Sequence, residues 1–177
     1  MRSRRFYQMM RKGGVINFAP PKESQAEVPP APGARGDLLK FIAETSGGKD
    51  AYLVLIFSPT QLIDGEGQRP THLALELARR GCTVVFAYWR WHPDQWRQQD
   101  RVNDRVYQIP IDVLLQQPET LFRQSGIKNN LVLLEFPYPG FFELLAIANA
   151  AGWITAYDVV DDWEEFHRVG QAPWYER

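Results

Sequence analysis

Two short segments of the chain carry residues whose types and spacing could do chemistry. The first, SPTQLIDGEGQR (58–69), contains Gly65, Gly67 and Arg69. Paired glycines let a backbone approach a bulky ligand, and the arginine can meet negative charge. The second, YDVVDDW (157–163), contains three aspartates within five residues. Such carboxylates can bind hydroxyl groups or take part in proton transfer, since neighbouring like charges raise a carboxylate pKa.

Each segment also has a simpler interpretation, which stays open at this point. The glycine pair is also compatible with an ordinary flexible loop. It is not a dinucleotide fingerprint, because that pattern needs a third glycine and position 70 is proline. It is not a P-loop, because no Gly-Lys-Ser or Gly-Lys-Thr follows. In the second segment, one aspartate would cap a helix while the others face solvent.

Aromatic residues follow several of the apolar runs. They are Trp89, Trp91, Tyr138 and Trp163. Aromatic faces stack on flat ligands, but exposed tryptophans equally indicate contact with another domain.

The three histidines have neither metal-ligand spacing nor cysteine partners, so the sequence predicts no metal site.

Five apolar runs are predicted to be the strands that position these segments. Because the first two runs lack a period-2 alternation, we expect strands covered on both faces. Helical segments separate the runs, which predicts a single-domain α/β fold with a doubly wound parallel sheet of order 3-2-1-4-5. The runs are residues 51–57, 82–89, 105–111, 130–136 and 153–160.

The helices between the strands have start and stop signals. Pro70 begins the helix after the glycine loop, and Gly81 ends it in a left-handed conformation. Asp37 is expected to cap the helix that precedes the first strand. Pro118 is expected to begin a new helix. The segment 141–152 is apolar nearly all round, which predicts a helix sandwiched between the sheet and a neighbouring element.

Charge divides the chain into an arm and a globular part. Residues 1–36 contain seven Lys or Arg against two Glu, a net charge of +5, which leaves −6 for 37–177. With its many prolines, the arm is predicted to be a linker, and its residues 1–12 could contact anionic lipid. No apolar run approaches the about 20 residues of a spanning helix, and a single cysteine excludes an internal disulfide.

A family resemblance rests on the order of these motifs. A strand, then Ser58-Pro59-Thr60, a Gly-x-Gly loop, the helix ALELARRG and the strand CTVVFAY follow one another over residues 52–88. This order resembles the amino-terminal half of GT-B glycosyltransferases of the GT4 type. The segment Tyr157 to Trp163 is similar to the YDxxDDW motif of a subset of that family. The resemblance covers roughly residues 51–168.

The family implies retaining transfer of a hexose from a nucleotide-sugar donor, without a metal or other cofactor, between two Rossmann-like halves. By match, Gly65 and Gly67 lie near the donor diphosphate, together with Arg69. The catalytic role falls by position to Asp161, where many relatives carry a histidine instead. The residues assigned to the acceptor, a glycan or lipid-linked glycan, are Asp158, Asp162, Tyr138 and Trp163.

The carboxyl-terminal, donor-binding half of such enzymes has no counterpart in the 177 residues. We therefore expect the chain to be the acceptor-side domain of a longer, cytoplasmic enzyme, inactive when isolated, with no nucleic acid partner. Contact of the arm with the inner face of the membrane remains open. Two alternatives are a non-catalytic Rossmann-like interaction module and a dinucleotide-binding oxidoreductase domain, although the latter lacks its third glycine.

Overall fold

A five-stranded parallel sheet organises the chain in a computed structural model, which describes residues 34–45, 47, 51–62, 67–89, 101–116, 118–159 and 161–169. The strands lie in the order β3-β2-β1-β4-β5, which confirms the predicted topology. Along the described chain the elements are α1 (Ala34–Thr45), β1 (Tyr52–Ser58), α2 (Arg69–Arg79), β2 (Thr83–Tyr88), β3 (Val106–Pro110), α3 (Ile111–Leu114), α4 (Pro118–Gln124), β4 (Asn129–Leu134), α5 (Phe141–Ala150), β5 (Ile154–Tyr157) and α6 (Trp163–Arg168).

The central strand β1 is buried on both faces, as its unbroken apolar run predicts. Its side chains alternate between two hydrophobic clusters, so Leu55 and Phe57 enter one cluster while Val54 and Ile56 enter the other. The first cluster also contains residues of α1 and α5, and the second contains Ala74 of α2. Helices therefore cover both faces of the sheet, which makes the fold doubly wound.

The start of helix α1 differs from the prediction. Its apolar residues Leu38, Phe41 and Ile42 are buried as expected. The helix begins at Ala34, however, so Asp37 lies in the first turn and does not cap it. Of the three added residues, Ala34 and Arg35 are good helix formers and Gly36 is a poor one. The predicted boundary between residues 36 and 37 consequently falls inside α1, while residues 1–33 of the predicted arm lie outside the described residues.

Helix α2 follows its sequence signals. Pro70 occupies the first turn, and Gly81 has φ of +91°, a left-handed conformation that suits glycine. Leu73 and Leu77 pack against the second cluster. Because both ends of the helix are defined locally, its first residue, Arg69, is held at the carboxyl edge of the sheet. Pro118 likewise begins a helix, α4.

Helix α5 packs against strand β5 and helix α4, in agreement with the prediction that it lies between the sheet and a neighbouring element. Its residues Phe141, Leu144 and Ala148 are buried, but Phe142 is 76% exposed. The neighbouring strand β5 is the outermost of the described sheet, and Ile154 on it is 69% exposed. The part of the helix surface that carries Phe142 is therefore exposed, although the segment is apolar nearly all round.

Candidate functional site

The strand order reverses between β1 and β4, and in open α/β sheets such a reversal forms a crevice at the carboxyl edge. From β1 the chain moves outward through β2 to β3, then returns to place β4 on the other side of β1. The connections that follow β1 and β4 lead away to opposite sides of this switch point, and ligands of open α/β folds bind there. Ser58 ends β1 and Glu135 directly follows β4, and the Glu135 N–H donates to the carbonyl oxygen of Phe57 at 3.0 Å.

The segment after β1 is shaped by a local turn. The Ser58 hydroxyl donates to the Thr60 carbonyl at 2.8 Å and accepts the Thr60 N–H at 3.2 Å. At the other end of the segment, Gly67 has φ of +83°. Gly67 therefore uses the conformational freedom for which the glycine was singled out, whereas Gly65 lies outside the described residues.

Two predicted site residues that are far apart in the sequence meet at this edge. The Arg69 guanidinium donates to Asp158 Oδ1 at 2.8 Å. Asp158 follows β5, and its N–H donates to the Leu134 carbonyl at 2.8 Å, which fixes it beside the end of β4. The start of α2 and the end of β5 thus face each other across the carboxyl ends of β1 and β4. Since Arg69 is already bound to Asp158, a diphosphate would have to compete with that carboxylate.

Glu135 is a site residue that the sequence analysis did not single out. Its side chain is 0% exposed, and neither carboxyl oxygen has a hydrogen-bond partner among the described residues. Burial raises the pKa of Glu135 to about 7, the charge of Asp158 adds to the rise, and Arg69 opposes it. The signal that could have identified it is a single charged residue in the otherwise apolar run LVLLEF (131–136). A buried, titratable carboxyl at a switch point is a candidate for ligand binding or proton transfer.

The aspartates after β5 have different environments. Asp162 caps α6, because its Oδ1 accepts the N–H of Glu165 at 3.1 Å. Asp161 lies at the surface, where partial burial of its carboxyl raises its pKa. Trp163 is 6% exposed, so little of its ring is accessible to a ligand. Of the three aspartates, Asp158 is the one that contacts another predicted site residue.

The cap gives a direct prediction for Asp162. We expect Asp162→Ala to lower the free energy of unfolding by about 1 kcal/mol, because the Glu165 N–H would lose its acceptor. Urea denaturation near neutral pH measures this change. Asp161→Ala is the matched control, and it should change the stability by less than about 0.5 kcal/mol. Equal losses in the two variants would contradict the assignment of the cap.

Aromatic side chains form a cluster beside the crevice. Trp89, which follows β2, packs edge-on against Tyr138 with ring centroids 5.1 Å apart, and its ring also contacts Phe136. Trp163 also packs against Phe136, with ring centroids 6.4 Å apart. The prediction that these tryptophans are exposed is therefore wrong for Trp89, which is half-buried, and for Trp163, because each has aromatic neighbours within its own domain. Trp91 lies outside the described residues.

Within the described part of the chain, no three His, Cys, Asp or Glu side chains are grouped so that they could hold a metal ion. The same residues include no helix with the length and apolar character needed to cross a membrane.

No protein-family model, curated protein or solved structure matches this chain. The fold and the site thus define a class, a doubly wound parallel α/β domain with a charged crevice at its switch point, and the glycosyltransferase resemblance stays a prediction.

Proposed function

We propose that this chain is the acceptor-side half of a retaining glycosyltransferase, which transfers a hexose from a nucleotide sugar to a glycan or lipid-linked acceptor. The observation that carries the proposal is the 2.8 Å contact between Arg69 and Asp158 beside the buried carboxyl of Glu135. Arg69, Glu135 and Asp158 lie after β1, β4 and β5 respectively, so hydrogen-bonding groups from three separate connections meet in one crevice. Hydroxyl-rich ligands need such a set of convergent donors and acceptors.

In this proposal each group has a role that its position permits. Asp158 and Glu135 accept hydrogen bonds from acceptor hydroxyls, and the half-buried ring of Tyr138 provides an apolar surface nearby. Gly67 and Arg69 lie on the side that would face the donor diphosphate. Asp161 stays the proposed catalytic group, since its surface position leaves it free to complete a cleft with a second lobe.

The second lobe is part of the proposal. Transition-state stabilisation in a closed cleft needs groups from both walls. This chain supplies one wall, so we propose a carboxyl-terminal, donor-binding domain as its partner, with no metal or other cofactor. We also propose a cytoplasmic location, with the basic residues 1–12 as a contact for anionic lipid.

Sugar binding tests the proposal. Ligand-detected NMR would be run on the chain with glucose, galactose, mannose, their disaccharides and uridine diphosphate sugars. We expect weak binding of at least one sugar. We also expect Asp158→Asn to weaken that binding about tenfold, because a hydrogen bond to a charged group is lost. The matched control is Glu44→Gln, which removes the carboxylate of another exposed ion pair, with Arg101 at 3.0 Å.

The possible outcomes separate the proposal from its main alternative. Equal weakening by Asp158→Asn and Glu44→Gln would remove the assigned site. Absence of binding to every sugar would remove the transferase proposal. It would favour the non-catalytic interaction module, which the large exposed side chains near the outer strand support: Tyr157, Val159, Ile154 and Phe142 are 44%, 65%, 69% and 76% exposed.

A further inference from the structure

Glu135 is unusual because its carboxyl group is buried without a partner. Nearly all buried polar side chains are hydrogen-bonded, and burying an unpaired carboxylate is costly. Here the residue is 0% exposed, and within the part of the chain that the structure describes both carboxyl oxygens lack a hydrogen-bond partner. Its backbone N–H is fixed to the Phe57 carbonyl, so the side chain is held at the junction of β1 and β4. A partner that comes from outside the chain would remove this cost.

The charges around Glu135 indicate what that partner carries. Among the described residues, Asp158 and Arg69 are the charged groups that act on it. Arg69 is bound to Asp158 at 2.8 Å, so its charge is already balanced by a carboxylate. When Glu135 is ionised, the three groups together carry one uncompensated negative charge. A ligand with a positive charge would balance them, whereas a neutral hydroxyl would supply a hydrogen bond but no charge.

The ion pair between Arg69 and Asp158 lies beside Glu135 and affects how a ligand reaches its carboxyl group. The Arg69 side chain is 65% exposed and that of Asp158 is 19% exposed. Since Arg69 is largely exposed, its side chain can shift to admit a ligand while it stays paired with Asp158, and that pair must persist for the ammonium charge to balance Glu135.

We propose that the ligand of this crevice is an amino sugar, whose ammonium group pairs with the Glu135 carboxylate. This inference rests on the proposed sugar-binding function and narrows its substrate class. The ammonium group donates hydrogen bonds to both carboxyl oxygens of Glu135 and balances the local charge. A phosphorylated sugar is disfavoured at the same position, because its phosphate would face the carboxylates of Glu135 and Asp158.

The test compares sugars that differ at one group. Glucose, its 2-amino, 3-amino and 6-amino deoxy derivatives, and glucose 1-phosphate would be titrated into the chain near neutral pH and followed by ligand-detected NMR. We expect at least one amino derivative to bind about tenfold more tightly than glucose, and glucose 1-phosphate to bind less tightly than glucose. The same titrations would be made with Glu135→Gln, which keeps the shape of the side chain, and with Glu44→Gln as the control for general attraction to an acidic protein.

A preference for an amino derivative that is lost in Glu135→Gln and kept in Glu44→Gln would support the proposal. Equal binding of glucose and all its amino derivatives would overturn it while leaving the sugar-binding function intact. So would tighter binding of glucose 1-phosphate, or an amine preference that both variants retain. Absence of binding to every sugar would remove the proposed function itself. Since the comparison among sugars uses the unaltered chain, it decides the matter even if a variant does not fold.

Discussion

Phe141→Ala is expected to lower the free energy of unfolding by about 4 kcal/mol, the cost typical of deleting a fully buried aromatic ring. Phe141 is 1% exposed at the start of α5. Its ring centroid lies 4.8 Å from that of Phe57, 5.1 Å from that of Phe136 and 5.4 Å from that of Tyr138. The ring thus joins the end of β1 to the segment that follows β4. Its removal would leave a cavity beneath the crevice.

Denaturation in urea, followed by circular dichroism, measures this loss. Phe142→Ala is a matched control, because it deletes the same side chain one position further along α5, where the ring is 76% exposed. We expect the control to change the stability by less than about 0.5 kcal/mol. Similar losses in both variants would mean that α5 is not packed on the sheet as described.

The fold was predictable from the sequence because its signals are local. An unbroken apolar run such as that of β1 can be buried on both faces only within a covered sheet. Short helical connections between such runs then restrict the strand order. The prediction that failed was the start of α1, which depends on residues before Asp37 that were assigned to the linker.

Part of the site was also predictable, because the strand order was. Arg69 and Asp158 were proposed because both follow parallel strands, and the carboxyl ends of such strands share one edge. Their contact follows from the topology. The absence of a partner for Glu135 depends on where every nearby side chain points, which no pattern along the chain contains. The role of Asp162 was also left open, because a helix cap and a ligand-binding carboxylate have the same residue type.

Glu135→Gln is expected to stabilise the protein above neutral pH. Burial raises the pKa of the Glu135 carboxyl from its ordinary value of 4.5 to about 7 in the folded state. Between these values the folded protein retains a proton that the unfolded chain has released, so stability falls as the pH rises. At about 1.4 kcal/mol for each pH unit, ionisation of Glu135 costs the folded state about 3 kcal/mol above pH 7. Glutamine does not ionise, and the variant avoids this loss.

The free energy of unfolding of Glu135→Gln minus that of the unaltered chain is therefore expected to rise from near zero at about pH 4.5 to about 3 kcal/mol at about pH 8. Urea denaturation at a series of pH values measures this difference. Glu44→Gln, in an exposed ion pair, should change the stability by less than about 1 kcal/mol at each pH. A difference for Glu135→Gln that does not vary with pH would mean that its carboxyl is already paired or solvated. The crevice would then have no uncompensated negative charge for an amino sugar to balance.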